Sequence, residues 1–422
     1  MQNVIKVLKE RGLLDAVTDP RIEQMVEKPI VVYAGFDPSS DSLQLGNLVA
    51  VIGLAHFQRC GHRVVALLGG ATGLIGDPSG KTREREAADA EQIARNVAGI
   101  RENLSRILDR DSHGASIKVV NNADWIRNLS TLDFLRDVGR HFRVGAMLGK
   151  ESVKARLESE AGLNYAEFSY QLLQSYDFLH LFEAEQCVIQ VGGSDQWGNI
   201  TAGIDLIHKT RNAEAFGVTF PLVCDSTGAK FGKSEGNAVY LDSRRTSCYE
   251  FYQALIRTAD ADAAKMLRTL TFLPLEEIAE LEKQIRAAPE KRAAQQKLAE
   301  EVTRLVHGER GLTMAQRASS VLFGGSFEGL TSGELIAIFA NVPSKELPRS
   351  EVINAPAVDV AVRSGFCASK GEARRLVEAG GLYVNNLRVR DSAAVVNASD
   401  AVDGRIVVMR SGKKSFFLVK LS

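Results

Sequence analysis

Residues 30–48 read IVVYAGFDPSSDSLQLGNL. Ile30 to Ala34 is a short apolar run, as formed by a strand covered on both faces. It breaks at Gly35, Asp37, Pro38 and Ser39, then resumes at Leu45. Apolar residues follow at Leu48, Val49, Ile52 and Ala55, a spacing near the helical period, with Gly61 as a stop. Strand, polar turn and helix in that order are the first half of a strand–helix–strand unit. The start of such a helix presents unpaired backbone N–H groups and a positive dipole end, which suit an anion. A plain surface turn would read the same way, so the other strand ends decide.

They repeat the pattern. Val64–Leu68 is a second apolar run, and Ile93, Val97, Ile100, Leu104 and Ile107 mark an amphipathic helix after it. Strands are expected at Ile117–Val120, Val188–Val191 and Thr219–Val223, with helices around 132–142 and 167–181. Alternation of this kind predicts a doubly wound parallel sheet, a Rossmann-like α/β fold with ligands at the carboxyl ends of the strands. Three of those ends are rich in Gly and polar residues: Gly35-Phe36-Asp37, Gly69-Gly70-Ala71-Thr72-Gly73 and Gly192-Gly193-Ser194-Asp195-Gln196. Three on one sheet would let backbone approach a ligand from several sides, which an ordinary turn does not require.

The chain has 422 residues, too many for one ordinary core, with 45% apolar and 25% charged residues, within the globular range. The longest apolar run, Leu48–Ala55, is far short of a membrane span. The start, Met1 to Lys6, opens an amphipathic helix without an apolar signal core, so a cytoplasmic protein is expected. Five scattered cysteines show no zinc spacing, and no metal ligands are assigned.

Beyond residue 246 the strand pattern stops. Helices are expected at 250–258, 260–270, 275–288 and 291–308, with charged outer faces. Four segments result: a Rossmann-like domain with an N-terminal helix at 1–225, a loop and α-helical domain at 226–342, a linker at 343–355, and a small α+β module at 356–422. From Glu346 onward, 12 Lys/Arg face 8 Asp/Glu, although the whole chain has net charge zero. Lys370, Arg374 and Arg375 share one side of a helix, and Lys413-Lys414 lies in a hairpin between strands at 406–410 and 416–419. Two basic clusters on a compact module fit a phosphate backbone, and equally a solubilising surface.

Gly76 to Thr82, GDPSGKT, imitates a Walker loop, but Ile75 stands where the first glycine belongs. No GxGxxG opens a helix, which weighs against a dinucleotide enzyme. The segment containing Lys81, Arg83 and Arg85, and the segment Lys230-Phe231-Gly232-Lys233-Ser234, are basic loops beside the ligand edge. On charge alone each is a solvated loop. Lysine is also a compact mobile charge suited to a leaving pyrophosphate.

Taken together, GFDPSSDSLQLGNL (35–48), GGATGLIGDPSG (69–80), EFSYQLLQSYDF (167–178), QVGGSDQWGNI (190–200) and KFGKS (230–234) resemble the bacterial tyrosyl-tRNA synthetases of class I, across essentially the whole chain. KFGKS corresponds to the KMSKS signature, and the tail resembles the S-four RNA-binding module, placing the helical domain on the anticodon side. The HIGH-type tetrad here is Gln44-Leu45-Gly46-Asn47. Gln44 in place of histidine can donate a hydrogen bond but never carry a positive charge, so it is expected to limit turnover rather than ATP binding. A tryptophanyl enzyme and a non-catalytic RNA-binding relative are the rivals. Tyr33 with Asp177 speaks against the first, and the combined set of site residues against the second.

The resemblance implies activation of L-tyrosine by ATP, with Mg²⁺ travelling on the nucleotide, and transfer to tRNA(Tyr) by a homodimer without membrane contact. Tyr33 and Asp177 would read the phenol, while Tyr170, Gln174 and Asp77 meet the ammonium and Gln196 the carboxylate. Gly35, Asp37, Ser39, Gly193 and Asp195 would hold ATP. Gln44, Asn47, Lys81, Arg85, Lys230 and Lys233 would meet its phosphates during catalysis, and Lys370, Arg374, Lys413 and Lys414 the tRNA. Tyr170, Gln174 and Asp177 share one helix face by their spacing of four and three.

Overall fold

The opening strand runs through the middle of a parallel sheet. The computed structural model describes residues 2–79, 89–108, 117–158, 162–222, 224, 226, 233–234, 237–339, 342–412 and 415–422. Six strands, β1 (Ala16–Val17), β2 (Val31–Phe36), β3 (Arg63–Leu68), β4 (Ile117–Asn121), β5 (Cys187–Gly193) and β6 (Phe216–Phe220), form one sheet in the order β1-β6-β5-β2-β3-β4. β2 to β6 are parallel, and only β1 runs against its neighbour. From β2 the chain winds outward through β3 and β4, then returns to the other side as β5 and β6. The order therefore reverses between β2 and β5, where open α/β sheets bind ligands.

β6 spans Phe216–Phe220 and stops there because Pro221 has no N–H to continue the ladder; Val223, where the strand was expected to end, lies outside the described residues. β1, which pairs with Thr219 and Val218, is only two residues long and left no periodic signal. The helices fall close to expectation at Leu48–Arg59, Ala90–Leu108 and Tyr165–Glu185. Burial of β3 on both faces explains the unbroken apolar run Val64–Leu68.

The chain divides into two compact units, residues 1–246 with 254–306, and residues 247–253 with 307–422. The first includes the helices Asp260–Leu270 and Leu275–Ala287. Arg11 pins them by donating to the carbonyls of Arg268 (3.1 Å) and Thr271 (2.8 Å), and Arg59 lies 4.4 Å over the Phe272 ring. A two-stranded hairpin, β7 (Lys233–Ser234) and β8 (Asn237–Ala238), follows the main sheet. The long helical stretch Ala293–Leu322 is broken at Gly308, whose φ of 73° is a left-handed value that favours glycine.

In the second unit, β9 (Ser344–Leu347), β10 (Leu382–Val384), β11 (Leu387–Arg388), β12 (Ile406–Ser411) and β13 (Ser415–Leu421) form a sheet ordered β11-β10-β12-β13-β9. Residues 343–355, expected as a linker, thus supply a strand that pairs in parallel with β13. One face of the sheet packs on Val360, Ala361 and Ala373 of two helices. The other face, with Ile406, Val408 and Leu418, covers Val321, Leu335 and Phe339.

Candidate active site

The carboxyl ends of β2 and β5 open into a cavity of about 370 Å³. Its walls bring together Tyr33, Gly35, Asp37, Ser39, Gln44, Asn47, Asp77, Tyr170, Gln174, Asp177, Gly193, Asp195 and Gln196. These come from four separate stretches of sequence, 33–47, 77, 170–177 and 193–196. Lys81, Arg85 and Lys230 lie outside the described residues, and of Lys233 only the backbone is described.

At the inner end, Tyr33 on β2 is fully buried, and its hydroxyl has no hydrogen-bond partner among the described residues. Its ring leans on Phe178, with centroids 5.2 Å apart. Burial, then the nearby Asp177 charge, raise its phenol well above the usual value. Asp177, 1% exposed, is held from two sides: Asn122 Nδ2 donates to Oδ2 (2.9 Å) and Trp125 Nε1 to Oδ1 (2.8 Å). Burial pushes its carboxyl up to about 7, against those two donors. A buried carboxyl near neutrality beside an unpartnered buried hydroxyl suits one more polar group, such as a phenol.

Further out, Tyr170 Oη donates to Asp37 Oδ2 (2.9 Å) and Thr72 Oγ1 to Asp37 Oδ1 (2.8 Å). Gly69 is required here, since a Cβ would lie 2.1 Å from Asp37 Oδ1. A chain of amides follows: Asn199 Nδ2 donates to Gln174 Oε1 (3.0 Å), Gln174 Nε2 to Gln196 Oε1 (3.2 Å), and Gln196 Nε2 to Asp77 Oδ2 (2.8 Å). Tyr170, Gln174 and Asp177 all face this cavity, as their helical spacing requires.

The cavity mouth is formed by the turn at Gln44. Asn47 Oδ1 accepts from Gln44 N (2.9 Å), closing a tight turn ahead of the helix Leu48–Arg59. The chain leaving β8 returns alongside it: Leu45 N donates to Val239 O and Leu241 N to Leu43 O, each at 2.8 Å. The HIGH-like turn is thereby joined, by backbone, to the segment downstream of Lys233.

Four lining or supporting residues carried no assigned role in the sequence: Thr72, Asn122, Trp125 and Gln190. Asn122 follows the end of β4, and the same rule that marked the other strand ends applies to it. Gln190, an amide inside the apolar run of β5, has a buried Oε1 without a partner among the described residues and lines the cavity beside Tyr33. In the second unit, Lys370 opens the helix Lys370–Glu378 and pairs with Asp359 at 2.8 Å. Arg374 is exposed on the same helix, and Lys413 and Lys414 lie outside the described residues.

A parallel sheet with a nucleotide-sized cavity at its switch point, and a HIGH-like turn tied to the strand behind KFGKS, define a class I aminoacyl-tRNA synthetase. The family model for class I tRNA synthetases (W and Y) matches residues 25–324, and that for the tyrosine–tRNA ligase SYY-like C-terminal domain matches residues 334–419. The tyrosine–tRNA ligase of Protochlamydia amoebophila is 49% identical over 422 residues, covering 100% of this chain and 99% of that protein. That of Geobacillus kaustophilus is 48% identical over 421 residues, with 99% of each covered. A C-terminally truncated mitochondrial tyrosyl-tRNA synthetase from Aspergillus nidulans superposes with a TM-score of 0.69 at 32% identity, over 76% of this chain and 95% of that one. The chain belongs to the tyrosine–tRNA ligases, a family of ATP-dependent class I enzymes.

Proposed function

We propose that Tyr33 and Asp177 recognise the phenol of tyrosine while the Gln44–Asn47 turn receives the phosphates of ATP at the other end of the cavity. The reaction is that of the family: tyrosine and ATP give tyrosyl-adenylate and pyrophosphate, and the tyrosyl group then passes to tRNA. A carboxylate oxygen bonds to the α-phosphorus as the bond to the bridging oxygen of the leaving pyrophosphate breaks. The nucleophile is already ionised at neutral pH, so no base is needed. Rate comes from alignment and from charge aimed at the departing phosphates.

In this scheme Asp177 accepts the substrate's phenolic proton and Tyr33 donates to its oxygen. Asp77, Tyr170 and Gln174 meet the ammonium, and Gln196 the carboxylate. Asp195 takes the ribose, with Gly35 and Gly193 leaving room for the nucleoside and Asp37 and Ser39 beside it. Gln44, Asn47, Lys81, Arg85, Lys230 and Lys233 attend the phosphates. Mg²⁺ arrives on ATP, largely hydrated.

Residues 1–225 do this chemistry together with Lys230 and Lys233 of the loop that follows. The loop and helices of 226–342 face the anticodon side, and 356–422 bind tRNA(Tyr) through Lys370, Arg374, Lys413 and Lys414. The enzyme works as a cytoplasmic homodimer. In support, exposed apolar residues gather between 132 and 165, including Leu132 (79% exposed), Val144 (61%) and Tyr165 (74%), a concentration typical of a covered face. No helix among the described residues is long and apolar enough to cross a membrane.

The observation that carries the specificity is the unpartnered Tyr33 hydroxyl buried in the same cavity as Asp177. A site built to hydrogen-bond a hydroxyl rejects the analogue lacking it. Tyr33→Phe is expected to lower kcat/KM for tyrosine by roughly 5- to 10-fold, the worth of one such bond, while phenylalanine loses nothing. Unchanged discrimination in pyrophosphate exchange would remove Tyr33 from the role.

A further inference from the structure

Three segments meet just behind the Gln44 turn, and one side chain that faces no ligand holds them together. Asn103, 3% exposed on the helix Ala90–Leu108, turns its Oδ1 toward residues 42 and 43. There it accepts from Leu43 N (2.9 Å) and from Ser42 Oγ (3.0 Å). Ser42 Oγ in turn accepts from Asp242 N (3.0 Å) on the chain returning from β8. A hydroxyl has one proton, and Asn103 competes for it with Leu43 O, 2.9 Å away. With the proton directed to Asn103, an Oγ lone pair remains for Asp242 N. The result is a directed relay from Asp242 N–H through Ser42 O–H to the Asn103 carbonyl.

Neighbouring contacts strengthen the junction. Arg244 holds Asp242 through its Nε (2.9 Å) and reaches Glu102, beside Asn103, at 3.1 Å. Arg245 donates to Ser40 Oγ (3.0 Å) and lies 3.9 Å over the Tyr240 ring. The contacts to Glu102 and Ser40 are exposed and individually weak. Ser42, Leu43, Asn103 and Asp242 are all buried, so the relay within them is costly to leave incomplete.

We infer that Asn103 is a positioning residue for adenylate formation. Its carbonyl fixes the register between the Gln44–Asn47 turn and the chain returning from β8, and so the aim of both at the leaving phosphates. This rests on the phosphate role proposed above for Gln44. Asn103 does not line the cavity that holds Tyr33 and Asp177, so its loss should slow the chemical step without weakening tyrosine binding.

The test is single-turnover adenylate formation alongside tyrosine titration, on the full chain. Asn103→Ala orphans Leu43 N and frees the Ser42 hydroxyl. The rate constant is expected to fall roughly tenfold, with the tyrosine Kd within about twofold. Asn103→Asp, which keeps the accepting oxygen, is expected to restore most of the rate. Ser42→Ala, a milder cut in the same relay, should lower it in the same sense and covers the case in which Asn103→Ala does not fold. In a Gln44→Ala background, Asn103→Ala should cost much less than in the parent, since both act on one turn. The inference is overturned by an unchanged rate in the soluble variants, by rate and tyrosine affinity falling together, or by strict additivity with Gln44→Ala. If Gln44→Ala alone leaves the rate intact, the phosphate role of that turn fails instead, whatever Asn103 does.

Discussion

At the scale of single residues, the site turns on Asp177. Its carboxyl is raised from 3.8 to about 7, chiefly by burial. Below about pH 4 the group is neutral folded or unfolded, and it costs nothing. Between about 4 and 7 the unfolded chain ionises while the buried carboxyl keeps its proton, so the folded state binds more protons and stability falls as pH rises. The cost levels off above about 7, with roughly 4 kcal/mol as an upper bound. A phenol donating to the carboxylate favours the ionised form, so bound tyrosine should pull this value back down. Tyrosine affinity is therefore expected to climb by up to about tenfold per pH unit toward pH 7 and then flatten, with proton release on binding. Calorimetry in buffers of different ionisation enthalpy reads this directly, and a Kd flat from pH 5.5 to 8 would contradict it. Asp177→Asn should abolish the slope. His180, which stacks on Trp125 at 4.3 Å and whose own titration is lowered by burial, is the neighbouring group that this control separates. Tyr33, Gln174 and Asp177 were legible in the sequence only through family resemblance, because an aromatic in an apolar strand and a polar stripe on a helix have ordinary explanations. Gln190 was missed, although it is an amide where the strand pattern called for an apolar side chain.

Among elements, the helix Tyr165–Glu185 has the largest task, since it aims Tyr170, Gln174 and Asp177 into one cavity. Its start is capped by Asn164, whose Oδ1 accepts from Glu167 N at 2.9 Å. Glu167 is buried and forms an ion pair with Arg156 at 2.8 Å, their side chains 4% and 2% exposed. Arg156 also donates to Gly162 O (3.1 Å), so the pair clamps the helix start to the preceding turn. Periodicity located this helix but not its clamp, because a Glu in a first turn reads as a dipole partner and nothing local marks Arg156 as its mate. Removing one partner of a buried pair leaves a stranded charge and costs about 3–5 kcal/mol, whereas replacing both by apolar groups is often near neutral. Glu167→Ala is thus expected to shift the urea midpoint sharply and weaken tyrosine binding, with Arg156→Met plus Glu167→Leu recovering much of both. A single-variant loss below about 1 kcal/mol, the worth of a surface pair, would mean that the clamp is solvated in solution. The helices around the main sheet were readable as long periodic runs, and β2, β3 and β5 as short, mostly apolar runs ending in Gly and polar residues. β1 and β9 were not, since a two-residue strand and a four-residue one gain their identity from partners some 200 and 70 positions away.

For the molecule as a whole, zero net charge conceals a division of labour between a cavity lined with carboxylates and amides and a tail with a surplus of cations. The tail cations are not equivalent. Lys370 is engaged by Asp359 at 2.8 Å, which ties it to the helix Ala357–Ser364. Arg374, one turn further along, is exposed and has no ion-pair partner among the described residues, so its charge is available to a phosphate. Neutralising phosphates releases counterions, and each such contact adds about 0.9 to the slope of log affinity against log salt on duplex-like backbone and about 0.7 on single strands. Arg374→Glu should therefore raise the KM for tRNA severalfold at physiological salt and make its salt dependence shallower by about one unit. Tyrosine-dependent pyrophosphate exchange, which needs no tRNA, should be unaffected. Lys370→Glu should raise the same KM less for its phosphate contact, while also destabilising the tail by opposing Asp359, which thermal melting would register. Equal salt slopes for the parent and Arg374→Glu, across 50 to about 200 mM salt, would assign tRNA binding to other cations of the chain and leave this helix a merely solvated face.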